Sequence, residues 1–269
     1  MKMRMGGLEI LGGVMVAGLL FVALAAPLLA PHDPTAAVAP TYGEPGPPSL
    51  AFPLGTDELG RDVLSRVIWG ARISVIVGVA GMLVTMTIGV AIGLAAGVLG
   101  GSVDFALMRF TDVMLTLPGL LLAMALVTVL SPSLLSILLV VGLVSWTSVA
   151  RVVRAEALSI SQRDFVAAAR ALGASSWRLI ARHILPNVMP IIVVMAALST
   201  SGTLLLDAAL SFLGLGVPPP TPSWGRMIEE AELYFRTAPW LAAFPGVAII
   251  YAVMGFNFLG YGYLRRTRR

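Results

Sequence analysis

Residues 113–150 read VMLTLPGLLLAMALVTVLSPSLLSILLVVGLVSWTSVA, 38 consecutive positions without a charge between Asp112 and Arg151. A helix needs roughly 20 apolar residues to cross about 30 Å of hydrocarbon, so the stretch is too long for one span. Ser131-Pro132-Ser133 interrupts it, and this is a turn signal because proline lacks a backbone donor and restricts the residue before it. Two membrane helices back to back follow. Working outward, four more uncharged runs each hold one span: 23 residues between Glu9 and Asp33, 31 between Arg72 and Asp104, 24 between Arg182 and Asp207, and 28 between Arg236 and Arg265. The chain is expected to be an all-α integral membrane protein with six transmembrane helices, near 10–30, 74–98, 107–130, 135–151, 187–208 and 239–262.

The composition agrees. Of 269 residues 58% are hydrophobic and 12% charged, with a mean hydropathy of +0.91, well above a soluble globular chain. Absence of cysteine removes disulfides, thiol nucleophiles and cysteine-based metal sites. Lys2 is the only lysine, so no Walker-type phosphate loop exists in this chain. His32 and His183 are far apart and lack metal-ligand spacing. No catalytic, cofactor or metal site is expected on the chain. The first apolar run follows Lys2 and Arg4, and a cleaved signal peptide is the competing reading. Its length, about twenty residues against the 7–15 of a signal h-region, favours a first membrane helix.

Six spans place both termini on one side. One alternating set of loops contains Lys2, Arg4, Arg109, six arginines from Arg151 to Arg182, and Arg265, Arg266, Arg268 and Arg269, 13 basic residues in all. The other set has five, Arg61, Arg66, Arg72, Arg226 and Arg236, among many acids. By the positive-inside rule both termini are expected to be cytoplasmic. The net charge of +4 then reports topology and contact with anionic lipid, not nucleic-acid binding.

Segment 31–72 carries seven prolines, at 31, 34, 40, 45, 47, 48 and 53, and no regular element fits its first half. Its end reads PLGTDELGRDVLSR at 53–66, where Thr56 or Asp57 is expected to cap a short helix carrying Leu59, Val63 and Val67 on one face along the membrane surface. A solvated linker is the alternative. The division expected is 1–72, a first helix and an extracytoplasmic proline-rich loop with its interfacial helix, and 73–269, a core of five membrane helices. In helix two Gly89, Gly93, Gly97 and Gly101 recur every four residues and line bare backbone along one stripe, which suits either static packing or a sliding contact with another helix.

The arginine-rich loop 151–186 is too long for a connector. Asp164 is placed to cap an alanine-rich helix that stops at Gly173, Ser175 to cap the next, and Pro186 to mark the start of the following span. Trp177, Ile180 and Ile184 fall at i, i+3 and i+7 and give the second helix an apolar side, with Arg178 and Arg182 on another. This is either a docking surface for a protein partner or an amphipathic helix lying on lipid.

At this loop the chain resembles the permease subunits of bacterial ABC importers, whose signature is E-A-A, three residues, glycine, nine residues, isoleucine, one residue, Leu-Pro. Ala167-Ala168-Ala169, Gly173 and Leu185-Pro186 occupy those positions, with Ala167 replacing the glutamate and His183 the isoleucine. The departures are similar to the dipeptide, oligopeptide and nickel branch. Two distant segments resemble that branch as well: PLGTD through Gly60-Arg61-Asp62 and Ser65-Arg66 to Gly70-Ala71-Arg72, and LSFLGLGVPPPTPSWG at 210–225.

The resemblance implies a multi-pass subunit of the bacterial cytoplasmic membrane that forms a translocation pathway for di- or oligopeptides, or alternatively for nickel or another small solute. Its implied partners are a homologous permease subunit, separate ATPase subunits that bind ATP and magnesium, and an extracytoplasmic substrate-binding protein. The region around Gly173 would be the cytoplasmic coupling helix between spans four and five, so Ala168, Ala169, Gly173, Ala174, Ser175, Trp177, Arg178 and Pro186 are carried over as ATPase-coupling positions. Asp207 is expected to end span five and is a candidate gate or pathway residue, since charges near a membrane interior are often functional; a cap for the following turn is the alternative. A proton-coupled secondary transporter would want buried carboxylates or histidines in mid-span, and none lies between the expected helix ends. A membrane hydrolase would need a nucleophile and base that the sequence around His183 does not supply.

Overall fold

A computed structural model describes residues 6–39, 43–131 and 133–267. Lys2, Arg4, Pro40, Pro132, Arg268 and Arg269 lie outside the described residues. Among the described residues the chain is helical, with α1 Gly7–Leu29, α2 Val63–Leu99, α3 Gly101–Thr116, α4 Gly119–Leu130, α5 Leu134–Ser161, α6 Asp164–Ala171, α7 Ser176–Leu179, a π-turn Ile180–Ile184, α8 Leu185–Phe212, α9 Trp224–Glu230, a 3-10 turn Glu232–Tyr234 and α10 Trp240–Thr267. Five helices are long and apolar enough to cross a membrane, and the bent pair α3 and α4 makes up to six.

Helix α2 is the central post. It packs on α5, where Gly89, Gly93 and Gly142 admit the opposing backbone and valines, and it also meets α8, where Gly78 faces Leu204. The first and last helices close the bundle: Gly262 of α10 lies against the backbone of Glu9, and Arg266 pairs with Glu9 at 3.1 Å. Small residues at the crossings let backbones approach closely, the usual means of helix association where hydrocarbon removes the hydrophobic drive. One end of the bundle thus carries the start of α1, the α2–α3 junction, α6, α7 and the end of α10. The other carries residues 31–39, 43–62 and 213–239.

Three expected elements are corrected. No separate surface helix forms across 56–67. Asp62, not Thr56 or Asp57, accepts from the Ser65 backbone N–H at 3.1 Å and starts α2 at Val63, while Asp57 is used within the preceding turn, accepting from the N–H groups of Leu59 and Arg61 at 3.0 and 2.9 Å. Leu59 therefore stays outside the helix. Helix α2 then runs 37 residues, roughly 55 Å at 1.5 Å per residue, and stands well beyond the hydrocarbon. The expected single span at 107–130 is broken into α3 and α4, bent by 88°, because Pro118 forces Leu117 into an extended conformation with φ −83° and ψ 129°. Finally, α8 continues to Phe212, so Asp207 lies inside the helix and does not end it.

Candidate functional site

The loop after α5 folds by local rules. Gly173 takes φ +81°, the left-handed conformation that glycine adopts without steric cost. The Gly173 N–H reaches the Arg170 carbonyl at 3.0 Å and the Ala174 N–H reaches that of Ala169 at 3.1 Å, the two bonds of a Schellman stop. Ser175 then caps α7, its hydroxyl accepting from the Arg178 N–H at 3.4 Å. The π-turn leads into α8, with Pro186 in the first turn of that helix. Proline lacks the N–H of an ordinary i→i−4 bond, and here the Leu185 N–H reaches back five residues to the Ile180 carbonyl. Asn187 Nδ2 donates to the His183 carbonyl at 2.6 Å, and the His183 ring lies 6.5 Å from that of Phe165 on α6.

This unit has an anchored side and an open side. Val166, Leu179 and Ile184 are buried with Val149, Val153 and Ile160 in one apolar cluster. The apolar face expected from Trp177, Ile180 and Ile184 is thereby divided. Ile184 is fully buried, Ile180 half-buried and Trp177 76% exposed. Leu179, which the spacing missed, shares the buried side with Ile184 five positions on, because a π-turn takes an extra residue per turn. Facing outward are Trp177 and Leu172, the latter 89% exposed, with Ala168, Gly173, Ser175, Arg178 and Pro186 exposed and Ala169 and Ala174 half-buried. An uncovered tryptophan and leucine, with Arg170, Arg178 and Arg182 also exposed, give this loop a mixed apolar and cationic surface.

The glycine stripe points inward along α2. A Cβ on Gly89 would lie 2.6 Å from Val149 Cβ, one on Gly93 2.7 Å from the Ala150 carbonyl, and one on Gly97 2.9 Å from Ala157 Cβ. Gly101 lies outside this contact. It follows Gly100 at the start of α3, has φ +54° and meets nothing within 4 Å.

At the opposite end the two other quoted segments meet. Trp224 donates through Nε1 to the Val67 carbonyl at 3.0 Å and sits where a side chain on Gly70 would collide, 2.8 Å away. Around it a charge network joins the turn before α2 to α9. Arg66, 2% exposed, pairs with Glu230 at 2.5 Å and Asp57 at 3.2 Å. Arg61 pairs with Asp57 at 2.7 Å, Glu230 at 3.3 Å and Glu58 at 3.7 Å, and Arg226 with Glu229 and Glu230 at 3.2 and 3.3 Å. Burial pushes the Glu58 carboxyl above the ordinary glutamate range, and the neighbouring Asp57 and Glu230 charges add to it while Arg61 opposes it. His32 joins from the other side, its Nδ1 lying 3.3 Å from Asp62 and its backbone N–H donating to Ser65 Oγ at 3.0 Å. Glu230 was not singled out from sequence. The available signal was the pair Arg61 and Arg66 together with the acidic run of Glu229, Glu230 and Glu232, since buried guanidinium groups require carboxylate partners.

Asp207 is enclosed, 2% exposed, at a junction of four helices where Ser74 of α2, Trp224 and Gly225 of α9, and Ile249 and Ala252 of α10 surround it.

Comparison with known proteins follows this geometry. The chain is 41% identical over 259 residues to the di/tripeptide transport system permease protein of Pseudomonas aeruginosa, covering 94% of this chain and 85% of that one. It is 39% identical over 255 residues to a probable D,D-dipeptide transport system permease protein of Escherichia coli, covering 95% and 85%. Its fold is similar to a chain of the MetNI methionine ABC transporter in an inward-facing conformation, with a TM-score of 0.64 at 17% identity over 77% of this chain and 97% of that one. Residues 89–269 match the binding-protein-dependent transport system inner membrane component family, and with relatives of this identity along nearly its whole length the chain belongs to that family of membrane permeases.

Proposed function

We propose that this chain is a translocation-pathway subunit of an ATP-driven importer that carries di- and oligopeptides across the bacterial cytoplasmic membrane. The observation that carries the reading is its likeness, along nearly the whole chain, to permeases named for di/tripeptide and D,D-dipeptide transport. The same names favour peptides over nickel complexes. The working assembly contains a second, homologous permease subunit, ATPase subunits that bind ATP and magnesium, and an extracytoplasmic binding protein that delivers cargo. In this reading the end bearing α6 and α7 is cytoplasmic, which agrees with the basic residues clustered there, and the end bearing the Arg61, Arg66 and Glu230 network faces outward.

Hydrolysis on another chain drives transport only through a mechanical contact. The surface made by Leu172, Ser175, Trp177 and Arg178 supplies one: an exposed aromatic anchor of the kind that dominates interfaces, mounted on a short unit whose other side is buried in the α2, α5 and α8 cluster. A push on this unit therefore moves membrane helices and not a loose loop. The test is uptake of labelled dipeptides by proteoliposomes holding the complete complex. ATP-dependent accumulation that disappears when this subunit is omitted is the expected result. A complete complex that accumulates no di- or oligopeptide overturns the cargo reading.

A further inference from the structure

We propose that α3 is a hinged gate helix, latched to α5 by the ion pairs Asp104–Arg154 and Asp112–Arg151. The inference rests on the transport reading above for its purpose, but its evidence is the build of α3.

Both ends of α3 are joints. It begins at Gly101, φ +54°, directly after Gly100 at φ +63°, conformations that set a glycine joint apart from the straight end of α2, and it ends at the Pro118 break, where α4 departs at 88°. Between the joints α3 has little apolar anchorage. Thr111 is its one buried residue, and its hydroxyl is spent on the helix itself, donating to the Leu107 carbonyl at 2.8 Å. A recess of about 440 Å³ opens beside Gly101, Asp104, Met108 and Arg154.

What holds α3 to α5 is two ion pairs and one aromatic stack. Arg154 grips Asp104 with two parallel bonds, Nε and Nη2 each 2.5 Å from a carboxylate oxygen, and one helical turn earlier on α5 Arg151 Nη2 lies 2.5 Å from Asp112. Phe110 stacks on Trp146 at 5.8 Å. The fork geometry fixes the register of the two helices. Yet these pairs are partly open, with side-chain exposures of 32% and 23% for Arg154 and Asp104 and 52% and 44% for Arg151 and Asp112. Partly exposed pairs hold more weakly than buried ones, whereas parting an apolar seam such as the one between α2 and α5 exposes buried area. The weak seam and the two joints belong to the same helix, and that combination makes a part that swings. Its latch is also on the line of transmission. Arg151 and Arg154 stand in the last three turns of α5, the helix that leads into α6 and the exposed Trp177 surface.

The test uses the whole complex, with the partner subunits made cysteine-free; this chain has no cysteine of its own. Spin labels at exposed positions on α3 and α5, Ala106→Cys between the two joints and Ser159→Cys, report the separation by pulsed electron resonance. The expected result is a shift of several ångströms between the nucleotide-free and vanadate-trapped states, with Asp104→Asn and Asp112→Asn moving the nucleotide-free distance toward the shifted one. In uptake, Asp104→Arg or Arg154→Asp alone lowers transport by about tenfold or more, and the exchanged pair D104R/R154D recovers most of it. A single separation in both states, unchanged by the two asparagines, overturns the gate. A complex that shows the distance change and yet imports no peptide removes the peptide reading and leaves the gate standing.

Discussion

Arg66 is nearly fully buried and depends on carboxylates supplied from two elements, Asp57 in the preceding turn and Glu230 on α9. Removing one of these carboxylates leaves the buried guanidinium with a single partner, a loss below the ~3–5 kcal/mol of a fully stranded charge. Glu230→Gln is therefore expected to lower the thermal stability of the purified complex and loosen α9 from α2. Glu58 should behave in the opposite sense. Its carboxyl is held above the ordinary range chiefly by burial, so the folded state disfavours its ionised form; its stabilising contribution is complete below the ordinary glutamate range and is lost as pH rises through the raised value. Glu58→Gln should unfold no earlier than wild type at pH 7, and its advantage should fade as pH is lowered toward that range. At the glycines the contrast is steric. A methyl on Gly93 would lie 2.7 Å from a backbone carbonyl, whereas one on Gly202 of α8 meets nothing. Gly93→Ala should cost about 1–3 kcal/mol and Gly93→Leu should abolish recovery of assembled complex, with Gly202→Ala indistinguishable from wild type by size-exclusion yield.

Local chemistry made the turn of the arginine-rich loop readable, although Asp164, expected to cap α6, is its first residue and Arg163 takes the cap position without a side-chain bond. Gly173 stops a helix because of its own φ and Ser175 starts one through its own hydroxyl, and both positions were marked in the sequence as such. What spacing did not give was the side each residue takes, because the π-turn at Ile180–Ile184 shifts the register that a 3.6-residue period assumes, sending Ile184 inward and leaving Trp177 outside. The network around Arg66 was illegible for a different reason. Glu230 lies 164 positions from Arg66, and no local periodicity links them. The same division between sides yields a test of coupling. Trp177→Ala removes a ring that is 76% exposed and should leave folding and membrane insertion intact while reducing ATPase association or transport per ATP hydrolysed. Ile184→Ala removes a fully buried side chain and should cost about 2–5 kcal/mol of stability, lowering the yield of the subunit itself. Retention of partner binding and of an unchanged transport-to-hydrolysis ratio in Trp177→Ala would dissociate this surface from coupling.

The charge-free runs located the membrane helices because the spacing of charges against hydrocarbon thickness is a property of the whole chain, blind to packing. That ruler cannot see a bend inside an apolar run, and so the 88° break at Pro118 was missed although the same residue type was read as punctuation at Ser131-Pro132-Ser133. It also cannot place Asp207, which belongs to the α8 interior because α8 continues past a charge that neighbouring helices enclose. The proposed orientation rests on another molecular-scale quantity, the 13-to-5 asymmetry of basic residues between the two sets of loops. The fold assigns Ser49 to one end of the bundle and Ser175 to the other, and both are exposed. With no native cysteine, Ser49→Cys and Ser175→Cys each give one unambiguous label. In intact spheroplasts a membrane-impermeant maleimide should modify position 49 at once and position 175 only after permeabilisation. The opposite pattern would turn the Trp177 surface away from any cytoplasmic ATPase, and energy could not then enter through this loop.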